Sequence, residues 1–150
     1  MKSYKERKER KEAQKYFRQH NSQFLSDDEW IKTLVPSIIW SIIIGCVYGL
    51  LTKVIPFEFS IFYIIIGVMI ANVVNAAAGK TCKQVGYISV GCTIFTFLIT
   101  TLVQLMSFMP FFSALANLFN AFFNQNILGW ICMLCGCVAA YLQGSDNRFM

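Results

Sequence analysis

The sequence predicts an all-α integral membrane protein: four transmembrane helices, both termini cytoplasmic, one interfacial helix before the first span and another between spans three and four. Three observations lead there. Of 150 residues, 56% are hydrophobic and only 14% charged, against roughly a quarter charged in ordinary soluble domains. Beyond residue 35 the only charges are Lys53, Glu58, Lys80, Lys83, Asp146 and Arg148, too few to clothe the rest of the chain in a solvated surface. The apolar runs between them have the length that a hydrocarbon core about 30 Å thick demands of a helix rising about 1.5 Å per residue. Soluble enzyme, secreted disulfide scaffold and disordered tail are therefore excluded for the main body.

Residues 1–25 form a basic arm. Its stretch KSYKERKERKEAQKYFRQ sets Glu6 four residues before Arg10 and Lys8 four before Glu12, pairs that each add about 0.2–0.5 kcal/mol to a marginal helix. The cations suit anionic lipid headgroups at the membrane surface. Nucleic acid is not expected as a partner, because Glu6, Glu9 and Glu12 interrupt any phosphate-binding face. Ser26-Asp27-Asp28-Glu29 has the capping-box pattern, in which Ser and Glu satisfy each other's backbone amides. A short interfacial helix from Asp27 to about Leu34 is expected, with Trp30 at headgroup level, Asn21 to Phe24 as the joint before it, and Pro36 turning the chain into the first span.

The membrane domain covers 26–145, with spans at about 36–53, 59–78, 85–107 and 126–143, and 146–150 as a tail. Each run contains much Ile and Val, yet in lipid a backbone amide must find its partner within its own segment, so helix prevails over β-propensity. The fourth run is the shortest and needs a tilted neighbour or a locally thinned bilayer. Orientation follows the cations. With the N-terminus inside, Lys53 alone of the 13 Lys and Arg residues faces out. The arm is too long, and the first span too poor in small residues at its end, for a cleaved signal peptide.

Small residues four apart let helix backbones approach closely in lipid. The first span carries Gly45 and Gly49, the second Gly67 and Ala71, and the fourth Cys132, Gly136, Ala140 and Gly144. These predict a tightly packed bundle, within one chain or between copies. The third span differs. Ser89, Thr93, Thr96, Thr100 and Gln104 fall on one helical face, which reads either as the lining of a polar path shared with Asn72 and Asn75 of the second span, or as hydroxyls bonded to their own helix and amides bridging neighbours. Apart from Lys53, which bounds the first span, no span contains Asp, Glu, Lys, Arg or His, so the usual mark of a proton relay or voltage sensor is missing.

Between spans three and four the segment SFMPFFSALANLFNAFFNQN is uncharged. Starting at Pro110, Phe111, Phe112, Leu115, Leu118, Phe119, Phe122 and Phe123 share one side of a helix, and Ser113, Asn117, Asn120 and Asn124 the other. Such a helix lies in the outer interface with its rings in the acyl boundary, or else docks on a partner or re-enters the membrane.

Several motifs look chemical. Ala78-Gly79-Lys80-Thr81 ends like a phosphate-binding loop, but Val74 stands where that motif requires Gly. Gly79 is instead expected to cap the second span. The six cysteines lie in spans or, for Cys82, in the inner loop, which excludes a secreted disulfide framework. Cys132-Met133-Leu134-Cys135, near the outer end of the fourth helix, resembles in that respect vitamin K epoxide reductases and the bacterial membrane oxidants that reoxidise disulfide donors. The resemblance covers this tetrapeptide and the span count, and it implies a quinone-linked thiol oxidoreductase using Cys132 and Cys135. The chain departs from those families in having no cysteine pair in its outer loops, and a thiolate in hydrocarbon without a neighbouring cation is strongly disfavoured. No metal or cofactor is expected, since the one histidine, His20, is remote from the cysteines.

The expected role is therefore non-enzymatic: a small polytopic plasma-membrane protein that binds a membrane-protein partner or its own copy, as an assembly component. A channel or uncoupled small-solute carrier is the alternative, and the thiol oxidoreductase a second.

Overall fold

Where water is absent the backbone must bond to itself, and among the described residues every regular element is helical. The computed structural model describes residues 8–13, 25–54 and 61–145. The remainder of the arm, with Glu6 of the Glu6–Arg10 pair, the Asn21–Phe24 joint, the first residues of the expected second span and the tail at 146–150 lie outside the described residues. Helix α1 is residues 8–13. It is followed by α2 (Asp27–Val54), α3 (Phe62–Ala78), α4 (Lys83–Leu105), α5 (Phe111–Phe123) and α6 (Ile127–Gly144). Three of these, α2, α4 and α6, are long and apolar enough to cross a membrane, while α3 and α5 are shorter apolar helices.

Helix α2 starts at the capping box. Ser26 N–H donates to Glu29 Oε2 at 2.9 Å and Glu29 N–H to Ser26 Oγ at 3.4 Å. Contrary to the expectation of a separate interfacial helix turning at Pro36, the helix runs unbroken through that proline for 28 residues, about 42 Å at the usual rise. Proline removes one amide from the ladder, and Ser and Thr side chains on the adjacent turns let apolar helices tolerate it. Here Thr33 Oγ1 donates to the Glu29 carbonyl at 2.7 Å and Ser37 Oγ to the Thr33 carbonyl at 2.6 Å.

The first turn of α2 is tied to the connection that leads into α4. Lys80 Nζ lies 2.7 Å from Glu29 Oε2, and Leu25 N–H donates to Gln84 Oε1 at 2.7 Å. The Lys80 ammonium and the Ser26 amide hold the Glu29 carboxyl, which precedes the apolar run beginning at Pro36, below its ordinary pKa. Between α3 and α4, Gly79 adopts the left-handed conformation at φ 67° and donates its N–H to the Asn75 carbonyl. This is the helix cap expected from the sequence, at a position where a Cβ is costly.

Helix α4 is central, packing against α2, α3, α5 and α6, while α3 also packs against α6 and α2. Phe97 of α4, Ile66, Ile70 and Val74 of α3, and Val85 fill the core. Tyr63 meets Phe97 edge-on with centroids 5.0 Å apart. Helix α5 begins directly after Pro110, as expected. Its apolar side is divided: Ala114, Leu118 and Phe122 are buried, while Phe112, Phe119 and Phe123 are exposed. One neighbouring helix cannot cover a face that wide. Phe122 and Phe123 both reach Trp130 of α6, at 5.7 and 5.9 Å between centroids.

Candidate functional site

The contact between α2 and α4 is built on small residues. Thr33, Ser37, Ser41, Gly45 and Gly49 are all buried and recur every four positions. A Cβ on Gly45 would lie 2.9 Å from the Ile99 side chain and 3.0 Å from the Thr96 carbonyl oxygen; one on Gly49 would lie 2.8 Å from Val103. Sequence reasoning singled out the two glycines but missed the three hydroxyl residues before them. Counting Ser and Thr with Gly would have revealed a single stripe.

On the opposing helix, Ser89, Thr93, Thr96 and Thr100 are essentially fully buried. Each hydroxyl donates to the carbonyl four residues earlier, at 2.7–2.9 Å. Ser37 and Ser41 do the same on α2. Thr100 also reaches across to the Gly45 carbonyl at 3.3 Å. The Thr96 and Thr100 turns of α4 are thus pressed against the stripe of α2, while Ser89 lies beside Gly144 of α6, and the hydroxyl donors along this face are used by backbone carbonyls.

Helices α3 and α6 cross glycine on glycine. A Cβ on Gly67 would lie 2.2 Å from the Gly136 carbonyl oxygen, and one on Gly136 2.6 Å from that of Tyr63. Ala71 and Ala140 are completely buried in the same bundle, and a Cβ on Gly144 would meet Gly86 of α4 at 2.8 Å. Asn72 and Asn75 are not brought to the α4 hydroxyls. Gln143 of α6 donates its amide to Asn72 Oδ1, and Asn75 Nδ2 donates to the Gln143 carbonyl at 3.0 Å. Cys132 is half-buried, Cys135 is exposed, and both are free thiols. Among the described residues no three His, Cys, Asp or Glu side chains gather in a metal-binding group.

At the end of the bundle opposite Glu29 and Lys80, four helix termini leave a cavity of about 270 Å³. Tyr48 and Thr52 come from the end of α2, Tyr63 from the start of α3, Thr101 and Gln104 from the end of α4, and Gly129 from the start of α6. Leu105 at the end of α4, Phe108 beyond it, Ala121 of α5 and the connecting run Asn124-Gln125-Asn126 also line it. The geometry follows from the sequence locally: Pro110 and Asn126, both extended, start α5 and α6, so the chain doubles back over the open end, and the clasp on Trp130 holds it there. Gln104 Nε2 donates to Thr52 Oγ1 at 3.1 Å across the wall.

Among the described residues the cavity lining contains no charged side chain and no cysteine. It contains Gln125, whose Oε1 is buried without a hydrogen-bond partner among the described residues. Such an oxygen costs about 1–3 kcal/mol. Of these lining residues the sequence pointed to Gln104 and Asn124, each for a different reason, and missed Tyr48, Thr52, Tyr63, Thr101 and Gln125. The available signal was three consecutive amide residues between two apolar helices. Compared with protein-family models, curated proteins and solved structures, the chain matches none of them.

Proposed function

We propose that the chain is a plasma-membrane protein of four spans, α2 from about Pro36, α3, α4 and α6, with both termini cytoplasmic, and that it acts by binding rather than catalysis, as an assembly component of a membrane complex. Helix α3, with 17 residues, reaches about 26 Å, enough for a slightly thinned bilayer. In this orientation Lys80 and Lys83 face the cytoplasm with the basic arm, where they meet anionic headgroups. The cavity then opens at the outer end.

The observation that carries the binding role is the use made of the small residues. Gly45, Gly49, Gly67, Gly136 and Gly144 are all consumed in contacts within the chain, so helix association through them is already satisfied. What remains for a partner is the outward ridge of α5, where Phe112 is 83% exposed and Phe119 64%. A photoreactive benzoylphenylalanine at Phe112 or Phe119, irradiated in the producing cell, should yield a discrete protein adduct that is absent when the probe replaces lipid-facing Val47. Lipid adducts alone at all three positions would exclude the docking role. A periplasmic reporter active when inserted after Ser107, and inactive when fused after Met150, is the expected topology result; the reverse would exclude this orientation.

A further inference from the structure

We infer that the groove between the inner halves of α2 and α4 holds one acyl chain of an anionic phospholipid, with the phosphate at Lys83. The inference rests on reading these two helices as spans and is independent of docking through α5. The two helices run side by side from the same end. The Leu25 N–H ahead of α2 donates to Gln84 in the first turn of α4, and further along Thr100 Oγ1 donates to the Gly45 carbonyl. On one flank of this pair, Trp30, Leu34 and Ile38 of α2 and Tyr87, Gly91 and Phe95 of α4 line a space of about 350 Å³.

The groove has a local cause. Tyr87, Gly91 and Phe95 are four positions apart and share one ridge of α4. Glycine therefore leaves a gap between two rings, and a Cβ on Gly91 would meet nothing within 4 Å. Tyr87 is braced by Tyr141 of α6, with centroids 5.4 Å apart. A gap one side chain wide admits an unbranched hydrocarbon chain but not a partner helix, whose width with side chains is about 10–12 Å. The sequence ahead of α2, Gln19-His20-Asn21-Ser22-Gln23, is polar and costly to place in hydrocarbon.

Charge and length select the lipid. The ridge begins one turn before Tyr87 at Lys83, the first residue of α4, whose side chain is exposed, whereas Lys80 is engaged by Glu29. A helical side chain leans towards the N-terminus of its helix, so the Lys83 ammonium reaches the headgroup level above the groove. From Lys83 to Phe95 the helix rises about 18 Å, close to half of a hydrocarbon core about 30 Å thick, which is the depth of one leaflet. Trp30 and Tyr87 stand at the upper end of the groove, at the level where interfacial aromatic rings anchor. A zwitterionic lipid brings its own ammonium to the phosphate and competes with Lys83; an anionic one does not.

The full chain in phosphatidylcholine vesicles, with one lipid in ten replaced by dibrominated phosphatidylglycerol or by dibrominated phosphatidylcholine, tests this through quenching of tryptophan by bromine. One protein keeps only Trp30, in the groove wall; a second keeps only Trp40, exposed and outside the groove. Phosphatidylglycerol should quench Trp30 about fivefold more effectively than phosphatidylcholine, the value of one cation near an anionic surface. Trp40 should show a clearly smaller ratio, which separates a site from the general pull of the basic arm. Lys83→Gln should bring the Trp30 ratio down to that of Trp40. Gly91→Leu, which fills the gap and leaves the charge in place, should do the same. Both side chains project into open space, so neither change should disturb folding. Equal ratios at Trp30 and Trp40 would mean ordinary surrounding lipid, and would overturn the proposal. So would an unchanged Trp30 ratio in either variant, or no quenching of Trp30 by either lipid, the result expected if the arm, a second copy or another protein fills the groove. A reversed orientation in the reporter experiment would move the groove to the other leaflet without altering these ratios, and the adducts at Phe112 and Phe119 bear on α5 alone.

Discussion

The α2–α4 contact and the cavity beside Gln125 are both made from uncharged polar side chains, yet the first is closed and the second is not. Along α4 the hydroxyls of Ser89, Thr93, Thr96 and Thr100 reach the carbonyl one turn back. At the cavity the connecting run Asn124-Gln125-Asn126 supplies amides, and one oxygen is left over. The other buried oxygen without a partner among the described residues, Asn75 Oδ1, is also an amide oxygen. The difference is chemical. Serine and threonine can be satisfied by donating, which any helix allows, whereas asparagine and glutamine must also accept, which a helix cannot serve from its own backbone. A hydroxyl in an apolar helix can therefore be satisfied within its own helix, whereas an amide needs a partner from another element, as Asn72 and Asn75 find in Gln143.

The closed half of this comparison is most severely tested by Gly67→Ala. Its Cβ would lie 2.2 Å from a backbone oxygen, and neither backbone can yield. We expect a loss of about 3 kcal/mol or more, or failure to fold, beyond ordinary overpacking, read by unfolding in SDS from mixed micelles. A change under about 1 kcal/mol would mean that α3 and α6 are not in contact at Gly136. Gly45→Ala comes next, at about 1–3 kcal/mol, because its Cβ would meet Ile99 Cβ and Cγ2 at 2.9 Å and the Thr96 carbonyl oxygen at 3.0 Å, overlaps less severe than the 2.2 Å at Gly67. Gly91→Ala is the matched control: a Cβ there meets nothing within 4 Å, so the same measurement should show no loss.

Thr96→Val sharpens the contrast between hydroxyl and amide. Polar contacts between membrane helices are worth about 0.6 kcal/mol on average, and the Thr96 hydroxyl serves its own helix, so a loss below about 1 kcal/mol is expected. A larger loss would show that the hydroxyl ladder contributes to holding α2 against α4. The smallest effect concerns Glu29. Because its folded pKa is lowered, its contribution is present above the unfolded carboxylate pKa and disappears as pH falls through the lower folded value. The side chain is 44% exposed, so the gain is that of a surface pair, about 0–1 kcal/mol. Glu29→Gln should abolish that acid-dependent part and leave stability at neutral pH only slightly reduced.

How far the sequence reached differs from element to element. The ends of α3 and α5 were legible because Gly79 and Pro110 act through their own backbone geometry. The start of α2 was legible from Ser26 and Glu29 for the same reason. Its passage through Pro36 was misread, since whether a proline breaks a helix depends on the neighbouring turns that support it. The stripe was seen only as Gly45 and Gly49, because Thr33, Ser37 and Ser41 were not counted as small. For Asn72 and Asn75 the sequence left two readings open, a polar path shared with the α4 hydroxyls or amides bridging neighbouring helices, and the hydrogen bonds follow the second. Their partner is Gln143, about 70 positions away, and that pairing no local pattern encodes.

Composition and spacing by themselves determined that this chain is helical and that much of it is too apolar for water, since both follow from what each short segment can satisfy on its own. Which stripe meets which, which rings of α5 turn inward, and the cavity where four helix ends and Gln125 converge were decided only by the tertiary structure. The reason is that lipid removes the hydrophobic drive between helices and leaves close contact to choose among stripes that look alike in the sequence.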